Sequence, residues 1–181
     1  MPLLHVFASV FEFALTVVMA VLVVYLTLRA LIRTNTDFDE DKALMKGNAA
    51  VGVLIAALLL GSAHIMYRAF EPVADLLRQV LTSAYSREFG RWRLLLAAAG
   101  SLTMSFVIVV AVMSLSLRLF GRLMRADGIR AGAELEKGNA AVGILLAAVV
   151  VIVSFFVGDG VKALSKSVLP VPTAGTMRIL R

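Results

Sequence analysis

The chain alternates long apolar segments with short polar ones. A helix needs about 20 mostly apolar residues to cross about 30 Å of bilayer hydrocarbon. Four segments meet that length, namely Val6 to Leu28, Gly47 to Tyr67, Leu94 to Leu117 and Gly138 to Gly158. The last three contain no Asp, Glu, Lys or Arg, and the first contains one charge, Glu12. The pattern predicts an all-α membrane protein with four transmembrane helices.

A repeated segment divides the chain into two similar halves. The twelve residues from Lys46 to Ala57 recur from Lys137 to Ala148, 91 positions later, with changes only at Val53/Ile144 and Ile55/Leu146. Each copy holds two spans, so both copies enter the membrane in the same direction and form a parallel repeat about the membrane normal. We predict a first two-helix repeat at 1–70, an interfacial amphipathic linker at 71–92, a second two-helix repeat at 93–160 and an amphipathic C-terminal tail at 161–181.

Small residues recur along one face of the second helix in each copy. Gly52 and Ala56 in the first copy match Gly143 and Ala147 in the second, in a spacing that lets helix backbones approach closely. We therefore expect the second and fourth spans to pack against each other, or against their counterparts in a neighbouring subunit.

The polar stretches place several residues at the membrane surface. The linker after the second span has an apolar face and a polar face that includes Arg78, which is typical of a helix lying flat in the interface. Trp92 and Arg93 then anchor the third span, and Lys46 and Lys137 mark the water boundary of the second and fourth. The net charge of +6 is spread over short juxtamembrane segments, so it favours anionic lipid headgroups over nucleic acid.

Charge alone does not fix the orientation, because the 18 Lys and Arg residues divide equally between the two sides. The leading end of the first span has no Lys or Arg, and Arg29 and Arg33 follow its trailing end. We therefore expect the N-terminus outside and the loops between spans one and two and between spans three and four in the cytoplasm.

The tandem Lys-Gly-Asn-Ala-Ala-Val-Gly motif at the start of the second helix of each pair resembles the bacterial inner-membrane family catalogued as domain of unknown function 350. The resemblance covers both repeats and nearly the whole chain. It implies a four-helix, multi-pass protein of the bacterial inner membrane. It also implies an association with membrane-stress and polyamine-related genes. The biochemistry of the family is unassigned.

The sequence offers no catalytic or metal-binding pattern. There is no cysteine, and the two histidines, His5 and His64, do not stand in a metal-ligand spacing. A phosphate-binding loop and a serine-nucleophile motif are also missing. We expect a protein that is not an enzyme and that needs no cofactor.

Four polar residues in or beside the spans are candidates for a conduit. Glu12 marks an ion path or proton site. Alternatively, it reaches the interface or is protonated against a Ser or Thr of the third span. His64 pairs with Glu12, or else it lies at the headgroup level. Asn48 and Asn139 bring two helix starts together at one depth, which suits an anion, a phosphate headgroup or a polar constriction. Alternatively, each asparagine caps its own helix.

Two function classes remain open. The first is a conduit that passes an ion or small polar solute; because four helices enclose little space, it requires a homo-oligomer. The second is a membrane scaffold that recruits a membrane-stress or enzyme partner from the cytoplasm. Polar residues inside the spans favour the first class, and the lack of a dense polar lining favours the second.

Overall fold

The structure is a computed structural model that describes residues 2–27, 29, 40–82, 91–126 and 130–169. The regular structure within these ranges is helical. In chain order the helices are α1 (Pro2–Thr27), α2 (Glu40–Met45), α3 (Ala49–Thr82), α4 (Arg91–Ala126), α5 (Ala131–Glu136) and α6 (Ala140–Val168). The end of the predicted C-terminal tail, 170–181, and Arg33 lie outside the described residues.

Four of these helices are long and apolar enough to cross a membrane. The qualifying segments are Ser9–Thr27 in α1, Ala49–Arg78 in α3, Trp92–Leu119 in α4 and Ala140–Val168 in α6. The prediction of four spanning helices is confirmed, and the protein is a multi-pass membrane protein. α3 has 34 residues and α4 has 36, so each is about 50 Å long and extends well beyond the hydrocarbon.

The α3–α6 pair is the centre of the fold. α1 packs on α3, and α4 packs on both α3 and α6. A Cβ atom added at Gly143 would lie 2.6 Å from the Ala50 carbonyl oxygen, and one added at Gly61 would lie 3.2 Å from the Ser154 Cβ. These contacts advance in the same direction along both helices, so α3 and α6 run parallel, as two parallel repeats require.

The two copies of the repeated helix use opposite faces in this contact. We call Ala50, Leu54, Ala57, Gly61 and Ile65 the front face of α3, and Gly52, Ala56, Leu59 and Ala63 its back face. The equivalent front face of α6 is Ala141, Leu145, Ala148, Ile152 and Phe156, and its back face is Gly143, Ala147, Val150 and Ser154. The front face of α3 is buried, and so is the back face of α6.

The second and fourth spans pack against each other, which is one of the two arrangements that we expected, but Gly52 and Ala56 do not make this contact. Ala56 is exposed, and an added Cβ at Gly52 would meet only the Leu44 Cδ2, at 3.8 Å, among the described residues outside its own stretch of helix. The physical reason is that α6 packs its back face on the front face of α3. A contact between unlike faces leaves Ala56 and Ala63 of the back face of α3 exposed and Gly52 and Leu59 half-buried among the described residues.

The amphipathic segment after the second span is a continuation of α3. The helix passes through Pro72 and ends at Thr82. Its apolar side is covered by protein, because Val73 and Leu76 pack in a cluster with Leu94 at the start of α4 and Leu169 after α6. This cluster keeps the segment aligned with α3, although Pro72 removes one helical hydrogen bond.

Each Lys-Gly-Asn motif forms a corner between a short helix and a long one. Gly47 and Gly138 adopt positive φ angles of 75° and 83°, which glycine tolerates best. At the first corner Gly47 donates its N–H to the Leu44 carbonyl and Asn48 donates its N–H to the Ala43 carbonyl, the two bonds of a Schellman motif. The second corner has the same pair of bonds. The short helices α2 and α5 were not predicted from the sequence.

Candidate functional site

A charged pocket opens between α3 and α6, about 30 Å along α3 from Ala49. It has a volume of about 240 Å³ and is lined by His64, Arg68, Phe155, Phe156 and Asp159. A larger depression of about 420 Å³ lies along α1, but Val6, Ser9, Val10 and Phe13 line it and none of them carries a charge. The charged pocket is therefore the stronger candidate site.

Two ion pairs cross from α3 to α6 at the charged pocket. The Arg68 guanidinium donates through Nε to the Asp159 Oδ1 at 3.1 Å, and Arg68 Nη2 contacts the same oxygen. The Lys162 Nζ lies 2.5 Å from the Glu71 Oε1. Arg68 Nη1 also approaches Glu71 Oε2 at 3.5 Å, so the four side chains form one connected network.

These ion pairs join repeat-equivalent positions. Arg68 and Asp159 are 91 residues apart, and so are Glu71 and Lys162, which is the offset of the repeated motif. In a parallel repeat such positions lie at the same depth. Opposite charges at this offset were the signal that our sequence analysis missed.

Gly158 makes room for the charged pocket. A Cβ atom at this position would lie 3.1 Å from the His64 Cδ2 and 3.2 Å from the Arg68 Cγ. The His64 ring packs against the Phe155 ring with 4.7 Å between centroids. His64 and Arg68 thus reach α6 where its backbone carries no side chain.

Buried hydroxyl groups lie along the helices beside the charged pocket. The Ser105 hydroxyl donates to the Ser101 carbonyl at 2.8 Å and lies 3.3 Å from the Ser165 Oγ, which joins α4 to α6. The Ser62 and Ser101 hydroxyls are buried and have no hydrogen-bond partner in the described part of the chain. Polar groups therefore lie in the α4–α6 interface as well as in the charged pocket.

Glu12 lies away from the charged pocket. Its Oε2 is 3.0 Å from Nη2 of Arg78, in an ion pair that lacks hydrogen-bond geometry. Arg78 is 14 residues beyond His64 on α3, a distance of about 21 Å along the helix. The predicted Glu12–His64 pair is therefore not formed. Arg78, which we assigned to the lipid interface, is a partner of Glu12, and Trp92 and Arg93 are exposed at the start of α4.

The two corner asparagines play different parts. Asn48 accepts a bond from the Val51 N–H at 3.2 Å, which caps α3, and it donates to the Leu135 carbonyl of α5 at 2.7 Å. Asn139 makes no side-chain cap and instead donates to the Glu134 Oε2 at 2.9 Å. Asn48 thus joins the two repeats at their corners.

Glu134 occupies the region where an anion site was considered. Hydrogen bonds from Asn139 and Lys137 hold the pKa of the Glu134 carboxyl below its usual range. The Lys137 Nζ is 2.8 Å from the Glu134 Oε1, whereas Lys46 is exposed. A carboxylate at this corner disfavours a bound anion, because like charges repel. Among the described residues no group of three His, Cys, Asp or Glu side chains is placed to hold a metal ion.

Comparison with known proteins gives one match. The family described as Domain of Unknown Function (DUF350) matches residues 4–161, which include both repeats and most of the charged pocket's helices. The chain belongs to this family. The DUF350 match ends one residue before Lys162. No curated protein and no solved structure matches the chain. The four apolar helices show a membrane protein, and membership of the DUF350 family assigns it no specific activity.

Proposed function

We propose that the protein is a non-enzymatic, oligomeric conduit of the bacterial inner membrane that passes an ion or a small polar solute. The observation that carries this proposal is the charged pocket, where ionisable groups of two spanning helices meet. Arg68 and Asp159 lie beyond the uncharged stretches but within Ala49–Arg78 and Ala140–Val168, the helical segments that are long and apolar enough to cross a membrane. Charged side chains in such segments are costly, and by default they suggest ion or substrate pathways. The Ser62 and Ser101 hydroxyls, which are buried without a hydrogen-bond partner among the described residues, support a polar route near the pocket.

A single protomer supplies only part of such a route. Towards the Lys-Gly-Asn corners, Ala50 and Gly143 are in backbone contact, and Leu54 and Leu146 are buried beside them. Among the described residues, this half of the α3–α6 interface is close-packed and apolar. The conduit that we propose therefore forms where the charged pocket meets a second protomer.

Flux from purified protein in liposomes tests the proposal. We expect wild-type protein to carry an ion current whose reversal potential shifts in Asp159→Asn, because that variant removes a carboxylate from the charged pocket. Asp75→Asn is the matched control: Asp75 is exposed on α3, outside the pocket, and loses the same charge. Equal behaviour of the two variants would contradict the role of the pocket.

A membrane scaffold is the competing function. Exposed polar groups at the Lys-Gly-Asn corners, such as Lys46 and Glu136, offer a surface for a membrane-stress or enzyme partner. A scaffold gives no flux in the same liposomes. Absence of current from correctly folded wild-type protein, with several ions tested, would exclude the conduit and leave the scaffold.

We further propose that the N-terminus is outside and that anionic headgroups contact Arg93 and Trp92. The chain has no cysteine, so single cysteines report topology without background. Cysteines at Asp39 and Asp127 should be shielded from an impermeant thiol reagent added to intact cells, whereas one at Ser83 should react. All three positions lie outside the described residues. The opposite labelling pattern would reverse the orientation.

A further inference from the structure

We propose that the protein assembles head to tail, with the back face of α3 in one protomer packed on the front face of α6 in the next. This inference rests on the proposed function, because it specifies how protomers meet to form the conduit. The occupant of each exposed face is a second copy of this chain.

The first step of the argument is the contact that the chain already makes. The front face of α3 packs on the back face of α6, with Ala50 against Gly143 and Gly61 against Val150 and Ser154. The two helices thus join through unlike faces. Such a contact is heterologous, and it leaves one complementary face free at each end of the pair.

The second step is that the free faces repeat the sequence of the faces in contact. From Lys46 to Ala57 and from Lys137 to Ala148 the copies differ at only two of twelve positions. The free back face of α3 has Gly52 and Ala56 where the bound back face of α6 has Gly143 and Ala147. The free front face of α6 has Ala141 and Leu145 where α3 has Ala50 and Leu54.

The third step is exposure at corresponding positions. Ala50 and Ile65 have no exposed surface, whereas their α6 equivalents Ala141 and Phe156 are exposed, Phe156 by 78%. Exposure to lipid alone is ordinary for apolar side chains of a membrane protein. Each free face is equivalent, by the repeat, to a face that already forms the contact inside the chain. This equivalence identifies a second copy of the chain as the occupant.

The back face of α3 resembles the back face of α6 as far as Ala63, and the resemblance ends one turn later. Tyr67 stands on α3 where α6 has Gly158, and Gly158 is the position that makes room for His64 and Arg68. The phenol ring prevents an equally close approach there. The neighbouring helices must diverge at this level, so the charged pocket stays open at the junction between protomers.

Disulfide cross-linking in membranes tests the assembly. The added Cβ of Gly61 would lie 3.2 Å from the Ser154 Cβ, near the separation of about 3.5–4.5 Å in a disulfide. The equivalent positions between protomers are Ile152 and Ala63, both exposed. Head-to-tail contact predicts that Ala63→Cys alone and Ile152→Cys alone form no dimer. A mixture of the two forms dimers, and the double variant forms a ladder.

Control variants separate this contact from random collision. Val17→Cys combined with Ile152→Cys places one cysteine on the exposed surface of α1 and should give only background cross-linking. Gly52→Ala should reduce the ladder roughly tenfold, the ratio given by about 1.4 kcal/mol, because its Cβ would meet the backbone at Ala141. Gly100→Ala, whose added Cβ meets nothing within 4 Å, should leave the ladder unchanged.

Each other outcome overturns the inference. A dimer from Ala63→Cys alone would show a symmetric contact between two α3 back faces. A double variant that cross-links no better than the Val17 control would show that the faces do not meet. Cross-linking needs no transport, so a ladder without flux would remove the conduit and leave this assembly standing.

Discussion

Replacing Gly143 with alanine should separate α3 from α6. The new Cβ would lie 2.6 Å from the Ala50 carbonyl oxygen, 2.8 Å from its Cα and 3.0 Å from its carbonyl carbon. Non-bonded carbon contacts are favourable from about 3.5 Å, so the two backbones must move apart by roughly 1 Å. The position of the Cβ is fixed by its own backbone, and the atoms that it meets are main-chain atoms of Ala50, so no change of rotamer relieves the clash.

The expected loss of stability follows from two opposing terms. Overpacking of a close contact destabilises by about 1–3 kcal/mol, and a clash with backbone belongs in the upper part of that range. Alanine favours a helix over glycine by about 1 kcal/mol. We therefore expect Gly143→Ala to lower the free energy of unfolding by about 2 kcal/mol.

Gly52→Ala is the matched variant, because it makes the same change in the same repeated motif. Its Cβ would meet only the Leu44 Cδ2, at 3.8 Å, so the folded protomer should be unchanged or slightly more stable. Unfolding of dilute protein in mixed micelles with increasing SDS, followed by circular dichroism, measures both variants without contacts between protomers. Equal stability of the two variants would refute the assignment of unlike faces to α3 and α6.

Three further predictions concern the corners and the charged pocket. Gly47→Ala should destabilise the protein by about 1–2 kcal/mol in the same titration, because a left-handed φ of 75° disfavours a side chain. Because the pKa of Glu134 is lowered in the folded protein, its carboxylate contributes its full stabilisation at neutral pH. This contribution is lost as the pH falls below the ordinary glutamate range. The free energy of unfolding, measured against pH, should lose this acid dependence in Glu134→Gln. Asp159→Arg places a like charge opposite Arg68 and should reduce the monodisperse fraction of the protein in size-exclusion chromatography. The control variant Asp75→Arg should leave this fraction unchanged. An equal loss in both variants would contradict the Arg68–Asp159 ion pair.

The sequence determined the number of spans, their approximate positions and the parallel repeat. These features depend on local composition and on identity between two segments, both of which are visible without a fold. It also indicated that Gly47 and Gly138 interrupt the chain, because glycine suits a backbone that must turn. The short helices before these glycines were missed because six residues are too few to establish a period.

Partner choice at the candidate site depended on the tertiary arrangement. Glu12 was expected near His64, but α1 packs on α3 so that Glu12 meets Arg78. The two asparagines have the same local sequence, but the Asn139 amide donates a hydrogen bond to the Glu134 carboxylate. The position equivalent to Glu134 in the first repeat is Ala43, which offers no such acceptor. Glu134, which lies outside the repeated motif, therefore provides the partner that Asn139 binds instead of capping its helix.

Which faces of α3 and α6 meet could not be predicted from the sequence. The two helices carry nearly the same residues, and each has small residues on both its front and its back face. Either face allows close backbone approach, so composition and spacing are the same for both choices. One protomer can form only one such contact, and in the tertiary structure it joins the front face of α3 to the back face of α6.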